Sequence, residues 1–305
     1  MFTDLQTATP NMQIGIMVMY LGAEKAGIDL EKYKNVPFRI GELMFSDDSF
    51  GKVKGKTDEL FGALFHRRFV SPELAYSEST TYPQDALSGK NMAAKLSVSL
   101  ISEVRNTMFM SGLKAFPVEN WKVIAPAMKK TTQLHREIAG LKPKGPFKHY
   151  WGMNSRLLGV DKPFSLFLAS GIPFEVIDKV EDSGWIFLSN EDAKYFEDKM
   201  YKNNDINFVV RNEAKIDGDR FITMEEDLND IFKFKKSIIP FLKNIPYVKE
   251  DLPVVFSWYP SENKALLWNL NEKKQSFTII LNSKINQTIV IDGLDSTLVT
   301  NLSST

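Results

Sequence analysis

Cysteine is absent from this 305-residue chain, which removes disulfides, thiolate metal sites and every cysteine nucleophile from its chemistry. Histidine is nearly absent as well. His66, His135 and His149 stand on separate segments, so no metal-ligand spacing is offered and no metal site is expected. Net charge is missing too: Lys plus Arg and Asp plus Glu number 38 each. No overall field therefore draws in nucleic acid or an anionic membrane surface, and a neutral polar ligand suits the balance. Apolar runs are broken by polar side chains well short of the ~20 residues that cross a bilayer. The amino terminus has Asp4 early, no basic leader and Pro10 ahead of its apolar stretch, so no secretory signal is read there. No glycine-rich phosphate cradle of standard spacing occurs, which leaves a nucleotide enzyme without support. No cofactor is expected.

What is present is ample apolar material, 43% of the residues, enough for two or three cores. Met12, Ile16, Met19, Tyr20 and Ala23 recur at helical spacing and Gly27 stands where a helix would stop, so residues 12–27 are expected to be helical. Val36–Phe45 alternates as a strand and ends in the loop Ser46-Asp47-Asp48. Asp58–Phe65 suits a helix, and Phe69–Tyr76 a strand that runs into the polar loop Ser77-Glu78-Ser79-Thr80-Thr81 before Pro83. Asn91–Val104 is an amphipathic helix, Thr107–Ser111 a short strand, and Asn120–Leu141 a long helix. Strand and helix alternate with connections long enough for crossovers, so a parallel wall covered by helices is expected. Past the turn-rich KPKGP at 142–146, strands at Phe147–Trp151, Phe174–Ile177 and Trp185–Leu188 with helices at Pro163–Ser170 and Glu191–Met200 imply a small doubly wound sheet. From Val254, the runs VVFSWYP, KALLWNL, QSFTIIL and QTIVIDGL alternate as an antiparallel sandwich does.

Glu78 is the clearest catalytic candidate, because a carboxylate just past a buried strand occupies the end of βα architecture where chemistry gathers. Glycoside cleavage takes one carboxylate at the anomeric carbon and a second carboxylic acid to protonate the leaving oxygen, and Glu78 suits the first role. A solvated loop carboxylate capping a helix is the plainer alternative. Glu42, inside FRIGELMF, needs a partner if buried, because an unpaired charge costs several kcal/mol away from water. Arg39 lies three positions off and faces the other side of a regular strand, so that partner is expected from elsewhere. Glu42 either lines the pocket or forms a structural ion pair. Asp47 and Asp48 could meet sugar hydroxyls, with turn formation as the simpler role. Tyr76, Tyr82, Trp121 and Trp151 offer flat faces to a pyranose ring, with core packing as the alternative for each and the preferred reading for Trp258 and Trp268.

The succession YSESTTYP, KNMAAKLSVSLISEVRN, TMFMSG and long exit helix resembles the barrel end of family 42 β-galactosidases and related glycoside hydrolases. The resemblance implies an α/β fold: the C-terminal half of a (β/α)8 barrel over 1–142, a flavodoxin- or amidotransferase-like α/β domain over 143–250, and a small β-sandwich over 251–305. An amidotransferase would need the cysteine that this chain lacks, so that middle domain is expected to be non-catalytic. By the resemblance, Glu78 is the nucleophile of a retaining glycosidase acting on an oligo- or polysaccharide, FRIGELMF is strand six, and Glu42, Asp47, Tyr76, Tyr82 and Trp151 line the sugar site. The family's acid/base glutamate follows an asparagine on strand four. The Asn-Glu pairs here, Asn190-Glu191, Asn212-Glu213 and Asn271-Glu272, all fall after the barrel. The chain is therefore expected to be a fragment or half of a split bacterial enzyme, inactive alone, associating with itself or with an upstream barrel half. A full-length form would be periplasmic or extracellular. The rival is a non-catalytic carbohydrate-binding or oligomerisation protein.

Overall fold

The computed structural model describes residues 2–111, 114–158, 162–180, 183–197 and 206–302. Two compact units divide the chain, one made of Met1–Gly51 with Gly62–Glu137 and the other of Lys52–Phe61 with Ile138–Thr305. Parallel and antiparallel sheets both occur, so the fold is mixed α/β.

In the first unit, α1 (Phe2–Ala8) precedes β1 (Ile16–Met19), β2 (Phe38–Gly41) and α2 (Asp47–Phe50), and α3 (Val53–His66) enters from the second unit at Gly62. β3 (Ala75–Tyr76), β4 (Ser79–Thr80), α4 (Gly89–Ile101), β5 (Phe109–Met110) and α5 (Val118–Glu137) follow. β1 pairs with β2, β2 with β3 and β4 with β5, all parallel. β3 and β4 form one strand path broken at Ser77-Glu78. There the Met108 N–H donates to Ser77 Oγ instead of to a backbone carbonyl, while Ser77 N and Ser79 N still donate to Asn106 O and Met108 O. The wall thus runs β1, β2, β3/β4, β5, each strand beside its sequence neighbour.

Burial alternates along this wall with the two-residue period of a strand. Val18, Phe38, Ile40, Ala75, Ser77 and Ser79 are buried on one face, against which α4 packs, whereas Met17 and Met108 on the other face are 43% and 38% exposed. Parallel sheets normally have both faces covered.

Residues 12–27 correct the expectation of a helix. Gly15 lies so close to Pro37 that an added Cβ would sit 2.9 Å from its carbonyl oxygen, Ile16 N donates to Pro37 O, and Ile16–Met19 pair with Phe38–Gly41. Pairing with a buried neighbouring strand overrides helical spacing when the apolar run is only four residues long. The strand expected over 69–76 likewise shrinks to Ala75–Tyr76, behind a 3-10 turn at Pro72–Leu74, and that over 36–45 to Phe38–Gly41. The helices at 58–65, 91–104 and 120–141 are present as α3, α4 and α5 with shifted ends.

The second unit contains β6 (Phe147–Tyr150), α6 (Met153–Leu158), β7 (Phe174–Ile177), β8 (Gly184–Leu188), α7 (Asn190–Glu197), β9 (Ile206–Arg211), β10 (Phe221–Met224) and α8 (Leu228–Ile238). The strands form a parallel sheet in the order β10-β9-β8-β6-β7, so the chain reverses its direction of travel at β6. β9 and β10 were not apparent in the sequence. The helix expected over 163–170 is a 3-10 turn at Ser165–Ala169, and the one expected to reach Met200 is α7, Met200 itself lying outside the described residues.

β11 (Tyr247–Val248), β12 (Val254–Tyr259), β13 (Lys264–Asn269), β14 (Gln275–Leu281), β15 (Lys284–Ile291) and β16 (Ser296–Val299) build two three-stranded antiparallel sheets, β11-β14-β15 and β12-β13-β16. Val254, Phe256, Ala265 and Leu267 of one sheet share a core with Phe277, Ile279 and Ile291 of the other. Trp268, on the opposite parity of β13 from Ala265 and Leu267, is also fully buried and donates to Leu294 O, while Trp258 packs against the shared core.

Truncating the fully buried Phe277 to Ala is expected to cost about 3–5 kcal/mol. Ile285→Ala, at a side chain 66% exposed, should stay within about 0.5 kcal/mol. Denaturant unfolding compares the two, and equal losses would contradict the core assignment.

Candidate active site

Glu42 and Glu78 sit on adjacent strand paths, and strand alternation sends them to opposite faces. Glu42 follows Phe38 and Ile40 onto the helix-covered face, where Lys95 Nζ of α4 lies 2.6 Å from Oε2 and Ser79 Oγ donates to Oε1 at 3.3 Å. Lys95 is fully buried and also stands 4.5 Å above the Phe50 ring. Of the two roles open to Glu42 in the sequence, its surroundings are those of a structural ion pair.

Glu78 faces the other way. Its side chain retains 15% exposure, and Oε2 lies 3.4 Å from Nε of Arg39 on β2. Burial pushes the Glu78 carboxyl above the usual carboxylate range; the Arg39 guanidinium opposes this and the Glu42 charge adds to it. Arg39 is flanked by two thioethers, Nη1 facing Met110 Sδ at 3.9 Å and Nη2 facing Met17 Sδ. Met17 from β1, Arg39 from β2, Glu78 from the β3/β4 path and Met110 from β5 therefore meet on one face of the wall.

Around this centre the expected sugar contacts have separate fates. Tyr76 is the register partner of Arg39 and is half-buried on the same strand path as Glu78. Tyr82 is 74% exposed, and its N–H donates to Phe45 O, tying the loop after β4 to the one after β2. Asp47 Oδ1 accepts from Ser88 N, Ser88 Oγ and Asn91 Nδ2, which anchors the start of α4; Asp47 itself opens α2 in place of the expected loop. Trp121 is 41% exposed and packs with Phe109 and Phe116 at ring distances of 6.1 and 5.7 Å. Trp151 belongs to the second unit, where it is 1% exposed with Phe61 and His149 against it. It presents no free face, which corrects its expected role.

Sequence reasoning missed Arg39 and Lys95 as partners. A lysine inside the apolar side of KNMAAKLSVSL was the available signal for Lys95. Arg39 was set aside by strand parity as a partner for Glu42, and the same parity brings it to Glu78.

The second unit holds its own charge cluster at the carboxyl ends of β9 and β10. Lys54 Nζ contacts Asp58 at 2.6 Å and Glu226 at 2.9 Å, and Arg211 contacts Glu226 at 2.7 Å and donates to the Lys162 and Pro163 carbonyls. Both carboxylates are thereby neutralised. His149 is buried between the Tyr150 carbonyl at Nδ1 and the Phe164 N–H, which donates to Nε2; burial holds it neutral, well below its usual range. Among the described residues no group of three or more His, Asp or Glu side chains is placed to hold a metal ion, and no helix is long and apolar enough to cross a membrane.

No protein-family profile and no curated protein matches the sequence. Solved structures do match in fold. An apo exo-carrageenase GH42 from Bacteroides ovatus superposes with TM-score 0.54 and 11% identity over 97% of this chain and 53% of its own. Gan42B, a GH42 β-galactosidase from G. stearothermophilus, gives 0.57 and 11% over 97% and 65%. A cold-adapted β-galactosidase from Rahnella sp. R3 gives 0.59 and 10% over 98% and 65%. The fold likeness expected from the barrel-end motifs is thus found. This chain spans between 53% and 65% of the length of those structures.

Two outcomes follow from the opposed carboxylates. Lys95→Met should cost about 3–5 kcal/mol by stranding the buried Glu42, and adding Glu42→Leu should restore most of it; denaturant midpoints of the single and double variants test this, and an additive further loss would contradict it. For Glu78 the folded carboxyl binds its proton more tightly than the unfolded one. Its favourable contribution is therefore complete below about pH 4.3 and disappears as pH rises through the higher folded value. Glu78→Gln should accordingly raise the thermal midpoint at pH 7 and leave it unchanged in acid, and a lowered midpoint at pH 7 would contradict the assigned environment.

Proposed function

We propose that the first unit is the C-terminal half of a (β/α)8 barrel of the glycoside hydrolase type and that Glu78 is its nucleophile. The observation carrying this reading is the pairing of Glu78 with Arg39 on the uncovered face of four successive parallel strands, which in a closed barrel is the inward face. The fold likeness to GH42 β-galactosidases and an exo-carrageenase supports it. The second unit then supplies a flavodoxin-like sheet and a β-sandwich. The sheet's order, with the first strand between the second and third, is that of the doubly wound flavodoxin class. A platform for oligomerisation fits its neutralised charges.

In this reading Glu78 attacks the anomeric carbon of a saccharide as an anion, forming a glycosyl ester while the glycosidic oxygen leaves with a proton from a separate carboxylic acid. Water then cleaves the ester. Arg39 offsets part of the cost that partial burial places on the Glu78 anion. Glu42 cannot serve as the acid, because its charge is committed to Lys95 on the opposite face. The proton donor must come from strands that complete the barrel, supplied by a longer form of the protein or by a separate polypeptide. Tyr76 and Tyr82 are the aromatic faces nearest in sequence to Glu78 and the best placed to meet a sugar.

The second reading is a carbohydrate-binding or assembly protein that performs no hydrolysis, for which the exposed Tyr82 would serve as a sugar contact without a catalytic pair. Expression with the strands that complete the barrel, followed by assay on aryl β-galactosides, separates them. The glycosidase reading expects no turnover by this chain alone, turnover by the completed barrel, and a loss of at least about a thousandfold with Glu78→Gln. Unchanged hydrolysis in that variant would remove Glu78 from the role, and an inert completed barrel would favour the binding reading.

A further inference from the structure

Arg39 is underused as a hydrogen-bond donor. A guanidinium presents a planar fork of N–H groups suited to a carboxylate, sulfate or phosphate held through two parallel bonds. Here only Nε approaches an anion, at 3.4 Å from Glu78 Oε2 and without a formed hydrogen bond, and that nitrogen is buried. The two terminal nitrogens face the sulfurs of Met110 and Met17, which are weak acceptors. The side chain nevertheless stays 33% exposed, with Met17 43% and Met108 38% exposed on the same face. Lys95, on the opposite face, is consumed by Glu42, and Arg39 is the cation that meets Glu78 on this one.

We infer that Arg39 divides its fork, the Nε edge steadying Glu78 and the terminal nitrogens receiving a negatively charged substituent, so that the saccharide taken here is acidic: a sulfate ester or a uronic acid. The inference rests on the glycosidase reading of this face and narrows it, replacing the neutral sugar suggested by the balanced composition. The thioethers suit such a receptor. They hold the guanidinium plane by contact and, being poor acceptors, yield it to an incoming oxyanion. Glu78 opposes the bound anion by like charge, and its removal should tighten binding.

The test follows the methyl resonances of Met17 and Met110 in the intact chain, labelled with 13C-methyl methionine, during titration with galactose, galactose 6-sulfate, galacturonic acid and inorganic sulfate. An oxyanion on a guanidinium is a charge-assisted contact, so at least one acidic sugar should bind about tenfold or more tighter than galactose. Arg39→Gln should abolish that preference, Arg39→Lys should restore only part of it because the fork is lost, and Glu78→Gln should enhance it. Comparing the sulfate ester with the uronate at constant pH identifies the substituent. Equal affinity for galactose and both acidic sugars, or an acidic-sugar preference that survives Arg39→Gln, would overturn the inference while leaving a saccharide site in place. Inorganic sulfate binding as tightly as galactose 6-sulfate, with galactose silent, would overturn the saccharide reading itself.

Discussion

A charge placed in a wall of parallel strands has two tolerable positions: neutralised within the face that helices cover, or turned to the face that is open. The alternation of side chains along a strand enforces the choice, and this constraint organises the first unit. Glu42 falls in register with Phe38 and Ile40 and is drawn into the helix-covered face, where Lys95 must reach across from α4 to meet it. Glu78 falls on the other parity and keeps access to solvent, with Arg39 as its counter-ion. Two glutamates on neighbouring strand paths thus acquire opposite characters from backbone geometry alone. One is a structural anchor whose charge is spent, and the other is a reactive candidate whose carboxyl is made harder to ionise by burial.

Where hydrophobic periodicity was strong, the sequence was readable. QSFTIIL begins with alternation and KALLWNL is a continuous apolar run, each bounded by turn residues, and they appear as β14 and β13 within a residue of their expected limits. α4 and α5 were equally legible. Short parallel strands were not, because an apolar run of about four residues is too brief to show a period and suits a helix as well. Ile16–Met19 was misread in this way, and INFVVR, which forms β9, passed unnoticed. Glu78 was legible as a position, just beyond a strand in a polar loop. Its partner was not, because pairing Arg39 with Glu78 depends on the register between β2 and the β3/β4 path, and register is a tertiary fact. Trp151 failed as a sugar contact for a related reason: a tryptophan ending a strand stacks on a ligand or into a core, and Phe61 and His149 decide for the core.

The second unit shows the same economy of charge with the opposite result. Lys54, Asp58, Glu226 and Arg211 gather at the carboxyl ends of β9 and β10, the end of a doubly wound sheet at which ligands are usually bound. Each carboxylate there is satisfied by a cation, while His149 is locked as a neutral ring by the Tyr150 carbonyl and the Phe164 N–H. Groups that could have served chemistry are used to fasten α3 and the 3-10 turn at Ser165–Ala169 onto the sheet. The charges at this end of the sheet are thereby spent on structure, whereas the proposed site lies on the uncovered strand face of the first unit.

The most direct examination of this account is covalent labelling of the completed barrel with a 2-deoxy-2-fluoro glycoside, which slows breakdown of the glycosyl ester enough for peptide mass spectrometry. The account predicts a single adduct, on the peptide carrying Glu78, with Glu42 unmodified. An adduct on Glu42, or on another carboxylate with Glu78 untouched, would contradict it.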